Sequence, residues 1–277
     1  MYFFEVHVKL FLYTALALFF HSAVYGSSSA KPIAASTIIE TPHFSDLRSY
    51  ADADTLILLD IDDTLLIHTQ PLGSDVWFQY QYKKNKDLPD PLDATLAQWE
   101  AIRHLSRMKT VEKDTAKIVS DLQRKTYCIM GLTTQGLALA TRTVEQLLDN
   151  DIDLIKTAPS QDDIYLMNGR GVLYRHGILF TSGTPKGPAL EKLLKAINYR
   201  PKKIVFINDK ETHLLDVAES AKKLGIDFTG LRYSYSDERV AHFSPELAEI
   251  EFHFSTISHL LTDEEAKSLL EMLHESS

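Results

Sequence analysis

The sequence predicts an α/β fold in which helices cover both faces of a Rossmann-like parallel sheet. Three short runs are continuously apolar rather than alternating, as is typical of strands buried on both faces. They cover residues 56–59, 128–132 and 204–207. Each run ends abruptly in polar residues, and stretches with helical character separate the runs. Strands that alternate with helices indicate right-handed crossovers between parallel neighbours.

The size and composition are those of a globular protein. The chain has 277 residues, of which 44% are hydrophobic and 24% are charged, and its formal net charge is −9. A chain of this length buries enough surface to fold without disulfides or a structural metal. The single cysteine, Cys128, excludes an internal disulfide and a multi-cysteine zinc site. The excess of acidic over basic residues argues against a broad surface that binds nucleic acid, so we expect no nucleic-acid partner.

The N-terminal segment predicts export. Residues 10–20 are apolar except for one threonine, and small residues follow up to Gly26. This pattern is typical of a secretory signal peptide, here residues 1–26, and predicts a periplasmic or secreted protein. An uncleaved anchor and an ordinary buried segment are the alternatives. The run is shorter than the roughly 20 apolar residues that a membrane-spanning helix needs, so we expect no stable membrane span after cleavage.

The remaining elements follow in order along the chain. Residues 27–40 are small and polar and predict a linker, which leaves residues 41–277 as the folded domain. Helices are expected at residues 92–108, 111–125, 137–148, 188–197 and 213–224, the earliest of them forming a small helical insert. Residues 165–181 contain Asn-Gly between branched and aromatic residues and predict a β-hairpin insert. Residues 225–233 predict a further strand, and the capping box at residues 262–265 opens a final helix.

Two carboxylates at the end of the first apolar strand are the strongest functional signal. Asp60 and Asp62 lie on the same side of an extended chain, because the side-chain period of a strand is two. Two carboxylates at a buried strand end repel each other and are costly to desolvate. A divalent cation such as Mg²⁺ removes that cost, and so does use of one carboxyl as an acid. A carboxylate held in this way can attack phosphorus.

Four segments together resemble the haloacid dehalogenase (HAD) superfamily of phosphotransferases. The segment Asp60-Ile61-Asp62-Asp63-Thr64-Leu65, after an apolar strand, resembles motif I. Three later segments resemble the other motifs in the expected order. The counterpart of motif II is Leu132-Thr133-Thr134, that of motif III is residues 183–190 around Lys186, and that of motif IV is Asn208-Asp209-Lys210. The resemblance covers about residues 50–235. Within the superfamily the layout is most similar to secreted bacterial acid phosphatases and to an uncharacterised group related to them.

The resemblance implies an HAD-like domain with small cap insertions. It implies a Mg²⁺-dependent phosphatase that hydrolyses a small-molecule phosphomonoester through an aspartyl-phosphate. Asp60 would be the nucleophile, and Asp62 would protonate the leaving oxygen and then activate water. Thr133 would hydrogen-bond the phosphoryl group, with Thr134 as the alternative if the register differs by one residue. The remaining implied roles are charge neutralisation by Lys186 and Mg²⁺ binding by Asp60, the Asp62 carbonyl, Asn208 and Asp209.

One position departs from the family pattern. The family usually has an acid where Asn208 stands, and a neutral amide oxygen binds a cation more weakly. A non-catalytic binding or effector protein on the same scaffold therefore stays open. A phosphotransferase that uses an acceptor alcohol also stays open, because it would use all the residues named above. Further candidates for substrate contact are three histidines (His68, His176 and His213) and an aromatic cluster (Trp77, Phe78, Tyr80 and Tyr82).

Overall fold

A computed structural model describes residues 34–125, 127–256 and 259–275. The predicted signal peptide and residues 27–33 of the predicted linker lie outside the described residues. The strands are β1 (Ser36–Thr41), β2 (Thr55–Leu59), β3 (Leu66–His68), β4 (Met108–Thr110), β5 (Cys128–Thr133), β6 (Ile164–Met167), β7 (Gly171–Arg175), β8 (Ile178–Phe180), β9 (Lys203–Asn208) and β10 (Asp227–Tyr233). The α-helices are α1 (Asp75–Lys84), α2 (Pro91–Leu105), α3 (Thr115–Arg124), α4 (Ala140–Leu148), α5 (Lys186–Ala196), α6 (Glu211–Leu224), α7 (Asp237–Ala241), α8 (Pro245–Phe254) and α9 (Asp263–Glu275).

The centre of the fold is an eight-stranded, mostly parallel sheet with the order β1-β10-β9-β2-β5-β8-β7-β6. In this spatial order the first five pairs of neighbours, up to β5 with β8, are parallel. The last two pairs, β8 with β7 and β7 with β6, are antiparallel. The α/β class is therefore confirmed. The three predicted apolar strands are direct neighbours in this sheet, as β9, β2 and β5.

Each face of the sheet carries its own apolar core, which explains why the central strands have no polar alternation. Ile57 and Leu59 of β2 belong to one core, which also contains residues of α3 and α4. Leu56 and Leu58 belong to the other core, together with residues of α5 and α6. Every residue of β2 is buried, so the strand can be apolar throughout.

The predicted linker is too long at its C-terminal end. Residues 36–41 form strand β1, which pairs in parallel with β10 at the edge of the sheet. Only Thr41 of this strand is buried, and a half-exposed edge strand gives a weak apolar signal in the sequence. The folded domain therefore includes residues 36–40, which the prediction assigns to the linker.

The predicted β-hairpin insert is part of the main sheet. Residues 165–181 contribute to three antiparallel strands, β6, β7 and β8, and β8 continues the sheet by pairing in parallel with β5. The Asn168-Gly169 turn joins β6 to β7, with Gly169 at a φ of 81°, a backbone conformation that glycine adopts without strain.

The helical insert lies between β3 and β4, which form a separate antiparallel pair. It consists of α1 and α2, and α1 was not predicted. Ser74 caps α1 by accepting a hydrogen bond from the Trp77 N–H. The predicted helix at 92–108 ends at Leu105, because the chain turns there into β4. At the C-terminus the predicted capping box is confirmed, since Thr262 and Glu265 each donate a backbone N–H to the other's side chain.

Candidate functional site

The predicted motifs meet at one edge of the sheet. Asp60 follows β2, Thr133 ends β5, and Asn208 ends β9. These strands are parallel neighbours, so their carboxyl ends lie side by side. Ligands of open α/β sheets bind in the crevice beyond this edge.

Asp60 and Lys186 form a buried ion pair at the centre of the site. Lys186, the first residue of α5, is 1% exposed, and its Nζ lies 2.7 Å from Asp60 Oδ1. The Ile61 N–H also donates to Oδ1, at 2.9 Å. No residue in the described ranges donates to Asp60 Oδ2. The carboxylate is therefore held through one oxygen, and the other is left to react.

Both oxygens of the Asp62 carboxyl are held. Oδ1 lies 2.6 Å from Arg103 Nη1, and Oδ2 accepts a hydrogen bond of 2.8 Å from Gln135 Nε2. Thr143 fixes the Gln135 amide by donating to its Oε1 at 2.5 Å. Burial raises the pKa of Asp62, and the guanidinium of Arg103 opposes that shift.

Sequence reasoning missed Arg103 and Gln135. Arg103 lies on α2, far from the motifs in the chain, and it is buried with Thr95 and Trp99 of the same helix. These residues recur every four positions and share one helix face. The sequence signal for Arg103 was its position on the same helix face as Trp99. The only sequence signal for Gln135 was its position two residues after Thr133.

Asp209 carries a buried carboxylate oxygen that lacks a partner. Its backbone N–H donates to Thr64 Oγ1 at 3.2 Å, but its Oδ1 finds no hydrogen-bond partner in the described part of the chain. Burial and the neighbouring charge of Asp60 raise the pKa of Asp209 to about 8. An orphaned buried carboxylate beside a second one is the environment that a divalent cation satisfies.

The donor set fits Mg²⁺ bound mainly through two carboxylates. Within the described residues no three His, Cys, Asp or Glu side chains are grouped so as to hold a metal ion. Mg²⁺ does not require such a cage, because it retains waters and is often bound by one or two carboxylates plus a substrate phosphate. Asp60 and Asp209, with the carbonyl of Asp62, would supply the protein ligands.

Asn208 has a structural partner in this site. Its Oδ1 accepts a hydrogen bond of 2.7 Å from the Lys210 N–H, which fixes the turn from β9 into α6. Its Nδ2 lies 3.5 Å from His213 Nδ1. The predicted ligand oxygen is therefore already engaged by the backbone, and a metal-binding role for Asn208 stays a prediction.

The two candidate threonines occupy different environments. Thr133 is buried, and its hydroxyl accepts a hydrogen bond of 3.2 Å from the Gln135 N–H. The hydroxyl hydrogen has no acceptor among the residues that the structure describes, so it is free for a ligand. Thr134 instead lines an adjacent cavity, while its carbonyl accepts from the Gly183 N–H.

Two further carboxyl groups, those of Asp75 and Asp63, lie close to the site. Asp75 at the start of α1 forms an ion pair of 2.5 Å with Lys210. Burial raises the pKa of Asp75, but Lys210 outweighs burial and lowers it to about 2. Asp63 has a pKa raised to about 7 by burial and by Asp75. The site therefore contains more carboxyl groups than cationic partners, which favours the binding of a cation.

A cavity of about 700 Å³ opens beside these groups. Its lining is mixed, and its apolar residues are Phe78, Leu92, Leu96, Trp99 and Leu137. Its polar residues are Asp75, Gln79 and Glu100 of the insert, together with Thr134, Arg170, Ser182, Thr184, Lys210 and His213. Burial, with Lys186 and Lys210 nearby, lowers the pKa of His213 to about 3. His213 is therefore a neutral hydrogen-bonding group at the mouth of the site.

The other sequence candidates are dispersed. Within the aromatic cluster only Phe78 lines the cavity, while Trp77 is in the core and Tyr82 is exposed. His68 is buried against Arg103 at 2.6 Å. His176 contacts Asp153 and lies outside the site.

The fold and the site together define an α/β protein with a buried acidic centre and a half-apolar cavity at the carboxyl edge of its sheet. The chain belongs to the family described as "Protein of unknown function (DUF2608)", whose sequence model matches residues 40–267.

The chain is similar to proteins of Chlamydia that carry the name "Putative outer membrane protein". Two are from Chlamydia pneumoniae, and each is 25% identical to this chain. One match covers 82% of this chain and 86% of the relative, and the other covers 95% and 97%. A third, from Chlamydia trachomatis, is 24% identical over 73% of this chain and 78% of its own length. Among the described residues there is no helix of the length and apolarity that crossing a membrane requires.

Proposed function

We propose that this protein is an exported phosphatase with an HAD-like domain, which hydrolyses phosphomonoesters with Mg²⁺ through an aspartyl-phosphate. One observation carries the proposal. Asp60 is fixed through Oδ1 by Lys186 and a backbone N–H, whereas no described residue donates to its Oδ2 and the nearby Asp209 Oδ1 has no partner in the same ranges. The order of the four motif segments in the sequence supports the HAD-like assignment.

In the first step Asp60 Oδ2 attacks phosphorus and forms a new P–O bond. The bond between phosphorus and the leaving oxygen breaks, and Asp62 donates a proton to that oxygen, so an alcohol departs. Lys186 and the free hydroxyl hydrogen of Thr133 stabilise the charge on the phosphoryl oxygens. Bound Mg²⁺ would neutralise charge between Asp60, Asp209 and the phosphoryl group.

In the second step Asp62 accepts a proton from a water molecule that attacks phosphorus. The bond between phosphorus and Asp60 breaks, and inorganic phosphate leaves. Asp60 is again a carboxylate and Asp62 is again protonated, so one water is consumed in each turnover. The ion pair with Lys186 and the hydrogen bonds to Asp62 hold both groups in position, which is the main protein contribution in phosphoryl transfer.

The proposed location is the cell envelope, in the periplasm or outside the cell. The predicted signal segment supports export, and the relatives from Chlamydia are named as outer membrane proteins. The substrate would then be a phosphomonoester that reaches this compartment. The cavity lined by Thr134, Lys210 and His213 would accept its leaving group.

Purified protein and its Asp60→Asn variant test the activity on 4-nitrophenyl phosphate with and without Mg²⁺. We expect Mg²⁺-dependent release of nitrophenol by the wild type and a loss of at least a hundredfold in the variant, with an unchanged circular dichroism spectrum. Equal activity of the two proteins would refute the proposed nucleophile. Addition of an acceptor alcohol distinguishes transfer from hydrolysis, because a transferase forms a new phosphate ester.

The rival function is a non-catalytic binding protein on the same scaffold. The hydrogen bond from the Lys210 N–H to Asn208 Oδ1 favours it, because this bond occupies an oxygen that the metal would otherwise use. Calorimetric titration with Mg²⁺ in the presence of phosphate discriminates the two functions. Absence of binding, together with an inactive wild type, would support the rival.

A further inference from the structure

Arg103 makes an unusually costly contact in this site. It is 1% exposed, and its Nη1 lies 2.6 Å from Asp62 Oδ1. Its Nε and Nη2 have no hydrogen-bond partner within the described ranges. A buried ion pair loses much of its attraction to desolvation, and an apolar replacement is often as stable. The stability of the fold therefore does not explain why residue 103 is an arginine.

The position of Arg103 is fixed from several sides. Its Nη1 is also 2.6 Å from His68 Nε2, and burial, with the charge of Arg103, lowers the pKa of His68 well below its usual value. His68 is thus neutral and can accept the hydrogen bond. The guanidinium lies 5.0 Å from the ring centre of Trp99, one turn earlier on α2. The backbone carbonyl of Arg103 accepts a hydrogen bond from Gln146 of α4.

The same helix also reaches the cavity. Leu92, Leu96 and Trp99 of α2 line the cavity, and Arg103 follows them along the helix and contacts Asp62. α2 belongs to the insert between β3 and β4, whereas Asp62 follows the central strand β2. The insert therefore contributes both a wall for the leaving group and a contact to the predicted proton donor.

We propose that Arg103 is a positioning residue, which together with Gln135 orients the Asp62 carboxyl towards the leaving oxygen. This proposal rests on the proposed phosphatase function. The guanidinium holds Oδ1 and the Gln135 amide holds Oδ2, so the two contacts fix the plane of the carboxyl group. Misplacement of a proton donor by about 1 Å can cost a hundredfold in rate.

Two aryl phosphates of similar shape make the role measurable. Phenyl phosphate has a basic leaving oxygen that needs a proton, whereas the leaving group of 4-nitrophenyl phosphate departs with little help. Removal of Arg103 should therefore lower kcat/KM on phenyl phosphate about tenfold more than on 4-nitrophenyl phosphate, because kcat/KM reports the first step, in which only phenyl phosphate needs the acid. The second step, in which Asp62 activates water, should slow equally for both substrates, because both form the same aspartyl-phosphate.

The variants are Arg103→Met, which retains much of the volume, and Arg103→Lys, which should recover part of the lost kcat/KM on phenyl phosphate. Gln135→Leu removes the second contact and should show the same discrimination, even if Arg103→Met folds poorly. Arg175→Gln is the matched control, since Arg175 pairs with Asp163 at the far edge of the sheet. It should leave both reactions unchanged.

Equal losses on the two substrates in Arg103→Met and Gln135→Leu would overturn the positioning role while leaving the phosphatase proposal intact. Unchanged kcat/KM in these variants would overturn it in the same way. A well-folded wild type that hydrolyses neither substrate would instead overturn the proposed function, and the positioning role with it.

Discussion

The unpartnered carboxylate of Asp209 predicts a specific dependence of stability on pH and Mg²⁺. Burial and Asp60 raise its pKa from 3.8 to about 8 in the folded protein. An acid whose folded pKa is raised contributes most stability below its unfolded pKa, and the contribution is lost as pH rises towards the folded value. Without Mg²⁺, Asp209 should therefore lower the free energy of unfolding between pH 4 and pH 8.

The size of the effect follows from the shift. Each pH unit between the two pKa values is worth about 1.4 kcal/mol, so Asp209 should lower the free energy of unfolding by about 4 kcal/mol between pH 4 and pH 7. Asp209→Asn removes the charge and should be more stable than the wild type at pH 7 by an amount of this order. The two proteins should be similar at pH 4. Mg²⁺ should stabilise the wild type at pH 7 and should have little effect on the variant.

Urea denaturation followed by circular dichroism measures these differences at both pH values, with Mg²⁺ or with EDTA. Asp87→Asn is the control, because Asp87 is exposed in the loop between α1 and α2. Equal loss of stability by Asp209→Asn and the wild type between pH 4 and pH 7 would contradict the raised pKa of Asp209. Equal stabilisation of both proteins by Mg²⁺ would contradict binding of the cation at Asp209.

Two further variants test the surroundings of the site. Glu251 is buried, and burial raises its pKa to about 8, so its contribution to stability is full below about pH 4.5 and falls as pH rises towards 8. Glu251→Gln should flatten that fall in urea denaturation, and an unchanged slope would contradict the assignment. Gly187 follows Lys186 on α5, and a Cβ there would lie 2.4 Å from the Asp216 carbonyl oxygen of α6. Gly187→Ala should cost about 1–3 kcal/mol in unfolding free energy and should lower activity by displacing Lys186. Wild-type stability and activity in this variant would show that α5 and α6 can separate without disturbing the site.

The centre of the fold was predictable because its strands carry an unambiguous pattern. β2, β5 and β9 are buried on both faces, and a continuous apolar run of that length, bounded by polar residues, is typical of a strand with two buried faces. The pairing of Asp60 with Lys186 was also within reach, since strand ends and helix starts converge at the carboxyl edge of a parallel sheet.

The missed elements have weak or ambiguous local patterns. β1 is an edge strand that is mostly exposed, and its register depends on β10, which lies far along the chain. The aromatic residues of α1 lie in different environments, because Trp77 is in the core, Phe78 lines the cavity and Tyr82 is exposed. They therefore form no apolar stripe of helical period. The start of α1 is marked only by its N-cap, Ser74.

The support of Asp62 could not be predicted for a different reason. The contact between Arg103 and Asp62 joins two residues separated by 41 positions and by the whole insert. The contact depends on how α2 packs, not on local propensity. A buried arginine on a helix face is compatible with many partners, and only the folded structure selects Asp62.

Chemical trapping of a phosphorylated carboxyl group tests the proposed aspartyl-phosphate without relying on kinetics. The purified protein is mixed with 4-nitrophenyl phosphate and Mg²⁺, quenched in acid and treated with borohydride, which reduces an acyl phosphate to an alcohol. Mass spectrometry of the peptides then locates the reduced side chain. We expect reduction at Asp60 only, dependent on substrate and absent in Asp60→Asn. Turnover without reduction at Asp60, or reduction at another carboxyl group, would contradict this expectation.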